Sequence, residues 1–223
     1  MKITDFECVL FDLDGTLIDN APHVTRCYQK SMVSLGYTEP AYQFVYDLQG
    51  ISFEDTCRAL GVEEERIPEF GEIFWVHMAS FDEAPTVFPH VRETMEFLKN
   101  EGIKMGIVTS NYASIAETAL KLVDLHHYFS AFIGSDVCKK TKPNPDPILA
   151  CLKLLDHDDL DSVLYIGDSE SDVKAMANTG IKGFWVIEDD HYERRINAEL
   201  SEILRNNSIP RYEYLTDVLE HHT

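Results

Sequence analysis

The sequence predicts an α/β fold with a doubly wound parallel sheet as its core domain and an α-helical domain inserted near the start of the chain. Short apolar runs rich in β-branched and aromatic residues alternate with amphipathic segments, a pattern typical of strands and helices in one layered domain. The apolar runs are nearly continuous, which indicates strands covered on both faces, as in a parallel sheet. Residues 18–84 are the exception, because they contain no convincing strand.

Five apolar runs predict the strands of the core, and each run ends in polar residues. In chain order they are 6–12 ("FECVLFD"), 103–110 ("IKMGIVTS"), 130–135 ("SAFIGS"), 162–168 ("SVLYIGD") and 182–187 ("KGFWVI").

Helices are predicted around these strands. Their segments are 90–102, 114–125, 146–155 and 170–180, and the first and last of them end in a glycine that suits a helix C-terminus. Residues 210–222 ("PRYEYLTDVLEHH") predict an edge strand followed by a short helix. The alternation of strands and helices favours parallel strands joined by helical crossovers.

The inserted region carries apolar residues at spacings near three and four, which predicts helices at 23–36, 52–61 and 64–81. Ser52 followed by Asp55 is typical of a capped helix start. We therefore expect a core domain of residues 1–17 and 85–223 and a helical cap domain of residues 18–84. An insertion after the first strand suits a lid, because α/β sheets bind ligands beyond the carboxyl ends of their strands.

Composition limits the classes of partner. The 223 residues carry a net charge of −20, which argues against nucleic acid or an anionic membrane as the main partner. The N-terminus lacks the features of a secretory signal and no apolar run approaches the length of a membrane span, so we expect a cytoplasmic protein. Five scattered cysteines without a CxxC pair predict neither a disulfide framework nor a zinc site.

Polar residues follow the predicted strands at points that a parallel sheet would bring to one edge. Carboxylates with a few other oxygen ligands form the kind of site that Mg²⁺ prefers, and the cation would offset their mutual repulsion. The residues at these strand ends are Asp12 and Asp14, then Thr109, Ser110 and Asn111, then Lys142, and last Asp168 with Asp172.

These residue types fit phosphoryl transfer. Asp12 can act as a nucleophile that forms an aspartyl-phosphate, and Asp14 can protonate the leaving oxygen and then activate the hydrolytic water. Lys142 would supply positive charge to the transferring phosphoryl oxygens, and Thr109 would hydrogen-bond them.

Four motifs in this order resemble those of the haloacid dehalogenase (HAD) superfamily: "DLDGT" ending a strand, a strand ending in "VTSN", then "KPNPDP", then "GDSESD" after another strand. The helical insertion between the first two motifs is similar to the C1-type cap of the phosphoglycolate phosphatase-like branch. The resemblance covers most of the chain and implies a Rossmann-like core with an α-helical cap.

The resemblance also implies residue roles. Asp12 would be the nucleophile and a Mg²⁺ ligand, and Asp14 the acid and base, with its backbone carbonyl on the metal. Asp168 would be a further metal ligand, whereas Asp172 matches an acid that more often supports the ligands than binds the metal. The remaining positions, Thr109, Ser110, Asn111 and Lys142, would bind the phosphoryl group.

Simpler interpretations stay open for each motif taken alone. The Asp12 to Gly15 stretch could be an ordinary Asx-Gly turn, and Asp168 could be the N-cap of a helix. Lys142 in its proline-rich loop could be a solvated lysine. Basic residues are rare in the cap, which mildly disfavours substrates with several phosphates, and any one of them could meet the substrate: Arg26, Lys30, Arg58 and Arg66.

The leading hypothesis is a Mg²⁺-dependent phosphatase that acts on a small phosphorylated metabolite, such as a phosphoglycolate-, sugar- or nucleotide-phosphate. Asp14 argues against a dehalogenase, which needs no leaving-group acid. The alternatives are a phosphosugar mutase or pyrophosphatase of the same superfamily, and a catalytically idle HAD-like binding module. The sequence identifies neither the substrate nor an oligomeric state.

Overall fold

The computed structural model describes residues 2–49, 51–186, 198–212 and 215. By contacts the chain divides into two compact units, one of residues Met1–Asp19 with Thr86–Thr223 and one of Asn20–Pro85. We call the first the core unit and the second the helical unit.

The core unit contains a six-stranded parallel sheet in the order β5-β4-β1-β6-β7-β8. Its strands are β1 (Cys8–Phe11), β4 (Lys104–Val108), β5 (Ala131–Ile133), β6 (Val163–Gly167), β7 (Lys182–Val186) and β8 (Arg211–Tyr212). A separate antiparallel ribbon pairs β2 (Ile18–Asp19) with β3 (Thr86–Val87). Every residue of β1 and β6 is buried, as the unbroken apolar runs predict.

Helices of the core unit follow the strands in the crossover pattern of a doubly wound fold. They are α5 (Val91–Asn100), α6 (Ala113–Leu122), α7 (Asp146–Leu154), α8 (Glu170–Thr179) and α9 (Ala198–Asn206). Short 3₁₀ turns lie at Ile3–Asp5, His126–Tyr128 and Leu160–Ser162. Side chains of β1, β4, β5 and β6 form one buried core with the inner faces of α7 and α8.

The helical unit consists of α1 (Ala21–Ser34), α2 (Tyr42–Tyr46), α3 (Phe53–Ala59) and α4 (Ile67–Met78), with a 3₁₀ turn at Glu64–Arg66. Its interior is aromatic. The Tyr28 ring lies 4.5 Å from that of Phe74 and 6.0 Å from those of Phe53 and Phe70, measured between centroids. These contacts join α1, α3 and α4, so the apolar spacing of the sequence corresponds to the buried face of each helix.

The predicted α/β class, the parallel core sheet and the inserted helices are confirmed. The expectation that residues 18–84 contain no strand is wrong at Ile18–Asp19, because this pair forms a ribbon with Thr86–Val87. Helix α2 was not predicted, since five residues are too few to show a helical period. The domain bounds at 17 and 85 stay a prediction.

The C-terminal segment 210–222 is confirmed only in its edge strand at Arg211–Tyr212, and most of the predicted helix lies outside the described residues. Within the described part of the chain, none of the helices has the length and apolar character needed to cross a membrane.

Candidate active site

Neighbouring parallel strands bring three of the predicted motifs to one edge of the sheet. β1 lies between β4 and β6, with Phe11 paired to Ile107 on one side and Ile166 on the other. The residues that follow these three strands, Asp12, Thr109 and Asp168, are therefore neighbours. The N–H of Asp12 donates to the Ile166 carbonyl at 2.9 Å, which extends the β1–β6 ladder to the first carboxylate.

The turn after Asp12 is shaped to let Asp168 approach. Gly15 has a φ of +87°, and a Cβ at this position would collide with the Asp168 carboxylate. Its N–H donates to the Ile18 carbonyl at 2.9 Å. Beside it, the Thr16 hydroxyl donates to Asp168 Oδ1 at 2.9 Å. The turn is therefore more than a connection between elements, because it leaves space for one carboxylate of the site and holds it in place.

Lys142 lies inside the site rather than in solvent. Its Nζ is 2.9 Å from Asp12 Oδ1 and 2.6 Å from Asp172 Oδ1, and its side chain is 1% exposed. A buried ammonium between two carboxylates is the arrangement in which a lysine keeps its charge. The interpretation of Lys142 as a solvated lysine is wrong.

Asp172 is fixed by the start of α8. Ser169 is the N-cap, its hydroxyl accepts the N–H of Asp172 at 3.2 Å, and Asp172 Oδ2 accepts the N–H of Ser169 at 3.0 Å. A Cβ on Gly167 would lie 2.6 Å from Asp172 Cγ, so this strand end needs a glycine. The alternative of Asp168 as the helix cap is wrong, because Ser169 takes that role.

Burial and neighbouring charges shift the pKa values of these groups. Burial, and after it the charge of Asp172, raises the pKa of Asp12 well above its ordinary value, against the opposing effect of Lys142. Burial and Asp172 likewise raise the pKa of Asp168 to about 7.

Asp172 and Lys142 behave differently from the other two carboxylates. Burial alone would raise the pKa of Asp172, but Lys142, Ser169 and Tyr165 hold it below its ordinary value. Burial would lower the pKa of Lys142, but Asp12 and Asp172 raise it above its ordinary value. Lys142 and Asp172 therefore form a stable ion pair, whereas the described residues compensate the ionised forms of Asp12 and Asp168 only in part.

The donor set fits a divalent cation. Oxygen atoms of Asp12, Asp168 and Asp172 lie within 4.8 Å of one another. Three carboxylates face one ammonium, so two negative charges remain for a cation to balance, and Mg²⁺ favours a site with one or two carboxylates. Because Asp172 forms the shorter ion pair with Lys142, the two carboxylates suited to bind the cation directly are Asp12 and Asp168. The side chain of Asp14 is not part of this cluster, and its predicted metal contact through the backbone carbonyl stays a prediction.

In the second motif, Asn111 contacts both Thr109 and Asp14. Thr109 is buried, and its Oγ1 accepts the N–H of Asn111 at 3.0 Å. Asn111 Nδ2 donates to Asp14 Oδ2 at 3.4 Å. Ser110 is exposed. The structure thus brings Asn111 against the predicted acid and base, and the phosphate contacts predicted for Thr109, Ser110 and Asn111 stay a prediction.

Sequence reasoning missed several residues that support the site. Tyr165, in the middle of β6, places its hydroxyl 2.8 Å from Asp172 Oδ1. Trp185 Nε1 donates to the Asp168 carbonyl at 2.5 Å, and Asp136 Oδ1 accepts the N–H of Ala113 at the start of α6. A tyrosine and a tryptophan in apolar strands carry no signal that separates these roles from packing. Only Thr16, the last residue of the first motif "DLDGT", could have been found by its position.

Comparison with known proteins agrees with this geometry. The sequence model of the haloacid dehalogenase-like hydrolase family matches residues 9–186, which include all four motifs. A phosphoglycolate phosphatase from Aquifex aeolicus is 30% identical over 178 residues, which are 78% of this chain and 81% of that protein. A protein from Caldanaerobacter subterraneus, provisionally named pyrophosphatase PpaX, is 31% identical over 205 residues, 82% of this chain and 80% of its own length.

A solved structure has a similar fold. A provisionally assigned phosphatase from Clostridium difficile superposes with a TM-score of 0.78 at 26% identity, and the match covers 96% of this chain and 98% of that one. The chain therefore belongs to the haloacid dehalogenase-like hydrolase family and is a phosphatase-type enzyme of its phosphoglycolate phosphatase-like branch.

Proposed function

We propose that this enzyme is a Mg²⁺-dependent phosphatase that hydrolyses a small phosphomonoester through an aspartyl-phosphate on Asp12. The observation that carries the proposal is the cluster of Asp12, Asp168 and Asp172 around the buried Lys142 at one edge of the sheet. A bound Mg²⁺ would neutralise the carboxylates and stabilise negative charge on the transferring phosphoryl group.

In the first step a carboxylate oxygen of Asp12 attacks phosphorus, and an O–P bond forms as the ester P–O bond breaks. Lys142 Nζ, 2.9 Å from Asp12 Oδ1, orients the nucleophile and offers positive charge to the phosphoryl oxygens. Thr109 Oγ1 accepts the N–H of Asn111, so its own hydrogen can be donated to a phosphoryl oxygen. Asp14 gives a proton to the leaving alkoxide, which departs as the alcohol.

In the second step a water molecule attacks phosphorus. Asp14, now ionised, removes a proton from that water, and the P–O bond to Asp12 breaks to release inorganic phosphate and the free carboxylate. Asn111, whose amide lies 3.4 Å from Asp14 Oδ2, would orient Asp14 in both steps. Each step needs one proton transfer: the proton that Asp14 donates leaves with the alcohol, and the proton that it takes from water restores its acid form.

The ion pairs of the helical unit are relevant to the number of phosphate groups on the substrate. Its four basic side chains each lie within 4 Å of a carboxylate of the same unit, in the pairs Arg26–Glu83, Lys30–Asp82, Arg58–Glu64 and Arg66–Glu69. These pairs reduce the positive charge that the unit could offer to a second phosphate. We therefore favour a monophosphate ester, and phosphoglycolate, named for the Aquifex relative, is the first compound to test.

The test is hydrolysis of an aryl phosphate by the full-length protein with and without Mg²⁺. Asp12→Asn should abolish turnover, because an amide cannot form the acyl phosphate. Asp158→Asn, the same change at an exposed carboxylate before β6, is the matched control and should keep full activity. Turnover by Asp12→Asn, or equal rates after removal of divalent cations with EDTA, would contradict the proposal.

A pyrophosphatase is the second candidate, because a relative provisionally named for that activity is 31% identical. Inorganic pyrophosphate and phosphoglycolate offered at equal concentration separate the two. A higher kcat/KM for the ester supports the proposal, and a higher value for pyrophosphate supports the alternative. A sugar phosphate that is isomerised without release of phosphate would instead identify a mutase.

A further inference from the structure

Tyr165 is a polar residue in the most buried part of the sheet. It is the third residue of β6, paired with Leu10 of β1 and Gly183 of β7, and it has no exposed surface. Phenylalanine would fill this place without the cost of burying a hydroxyl. The hydroxyl therefore needs an explanation beyond packing.

The partners of this hydroxyl supply one. Its oxygen lies 2.8 Å from Asp172 Oδ1, 3.1 Å from the Val108 carbonyl and 3.4 Å from Lys142 Nζ. A hydroxyl has one hydrogen to donate and can accept as well. It can therefore donate to one of the two acceptors while its oxygen accepts an N–H of Lys142.

The same contact completes the surroundings of the Lys142 ammonium. Its three N–H groups face three oxygen atoms, Asp12 Oδ1 at 2.9 Å, Asp172 Oδ1 at 2.6 Å and the Tyr165 hydroxyl at 3.4 Å. Asp172 is the closer carboxylate, so an ammonium held by two carboxylates alone would be drawn away from Asp12. A hydroxyl that shares Asp172 Oδ1 weakens this pull and limits rotation of the ammonium.

We propose that Tyr165 is a positioning residue, whose hydroxyl holds Lys142 against Asp12 in the geometry required for phosphoryl transfer. The inference rests on the proposed function of Asp12 and Lys142, and it assigns Tyr165 no contact with the substrate. Loss of the hydroxyl alone should therefore lower the rate of the chemical step and leave substrate binding nearly unchanged.

The experiment compares Tyr165→Phe with the wild-type protein in hydrolysis of p-nitrophenyl phosphate with Mg²⁺. We expect kcat to fall about 10-fold, in line with the usual contribution of a hydrogen bond to a charged group, and KM to change less than about twofold. Tyr28→Phe, which removes a hydroxyl from a buried ring of the helical unit, is the matched control and should keep the wild-type kcat.

A second readout separates positioning from a structural role. Inhibition by orthovanadate, which imitates the five-coordinate phosphorus of the transition state, should weaken by the same factor as kcat, whereas inhibition by inorganic phosphate should not change. Equal weakening of both, or a kcat for Tyr165→Phe equal to wild type, would overturn the inference. If the wild-type protein itself does not hydrolyse the ester, the proposed function fails instead.

A conservative variant keeps the inference testable if Tyr165→Phe does not fold. 4-Aminophenylalanine at position 165 places a group that can donate and accept at the same point. Recovery of at least about half of the wild-type kcat supports positioning through the hydroxyl, since one hydrogen bond is restored. A folded amine variant as slow as the reaction without Lys142, measured in Lys142→Met, would overturn it.

Discussion

Lys142 is buried between Asp12 and Asp172, and this single side chain gives the carboxylate cluster its asymmetry. Asp172 is compensated by the ammonium and by Ser169 and Tyr165, so its pKa stays low despite burial. Asp12 and Asp168 are compensated only in part, so their pKa values are raised. The geometry thus separates one acid that supports the site from two that suit a cation.

The close approach of Gly15 to the Asp168 carboxylate can be tested by a single substitution. Gly15→Ala should abolish most of the Mg²⁺-dependent activity, because the new Cβ would collide with the Asp168 carboxylate. The matched control is Gly36→Ala, since Gly36 has a similar φ of +82° and no atom within 4 Å of the added Cβ. Both variants add backbone strain of about 1–2 kcal/mol, visible as a lower melting temperature.

The test is to measure both the activity and the thermal stability of Gly15→Ala and Gly36→Ala. If Gly15→Ala and Gly36→Ala lose stability alike and both remain active, the close approach of Gly15 to Asp168 has no part in the chemistry.

The sequence predicted Asp12 and Asp168 because each follows an apolar run with a polar type that packing does not require, and parallel strands then imply that they meet. Lys142 could be found as part of "KPNPDP". Tyr165 and Trp185 could not, because in a strand they look like ordinary β-formers. Which carboxylate lies beside Lys142 is also a matter of tertiary packing, so the contact between Lys142 and Asp172 appears only in the structure.

At the scale of elements, α8 carries the last motif to the sheet edge and ends in the left-handed Gly180 that its sequence predicts. Long buried strands and capped helices were predictable from the sequence, because a strand of this kind shows an unbroken apolar run and a capped helix shows characteristic residues at its ends. The two-residue ribbon of β2 and β3 has neither, and its pairing joins segments 67 positions apart in register, from Asp19 to Thr86.

The N-cap of α8 gives a prediction about an element. Ser169→Ala and Ser52→Ala each remove a side chain that accepts the N–H three residues later, so each should lower stability by about 1 kcal/mol. Ser169 also donates to Asp172 Oδ2 at 2.5 Å and Ser52 to Asp55 Oδ2 at 2.7 Å, but only Asp172 belongs to the carboxylate cluster with Asp12 and Asp168. Only Ser169→Ala should therefore lose activity, by about 10-fold, as expected for a hydrogen bond to a charged group.

Chemical denaturation and steady-state kinetics on the two serine variants provide the check. Equal activity of Ser169→Ala and Ser52→Ala would show that the Ser169 hydroxyl acts only as a helix cap.

The whole chain carries a net charge of −20, and the phosphorylated substrate is itself an anion. Long-range repulsion should slow encounter at low ionic strength, when the Debye length is about 30 Å at 0.01 M, and salt should relieve it as that length falls to about 8 Å at 0.15 M. We therefore expect kcat/KM for an aryl phosphate to rise with NaCl over this range.

The internal control for this salt prediction is kcat at saturating substrate, which encounter does not limit and which should stay constant. A kcat/KM that falls with NaCl would mean that local positive charge, rather than the net charge of the chain, governs approach of the substrate.

The proposed mechanism requires Asp12 to become covalently phosphorylated. Acid quenching of the full-length enzyme during turnover, reduction of the trapped acyl phosphate with borohydride and peptide mass spectrometry test it most directly. We expect position 12 to be converted to homoserine in the presence of both Mg²⁺ and substrate, and the omission of either to prevent the conversion. Homoserine at another aspartate, or turnover with no trapped residue at all, would contradict it.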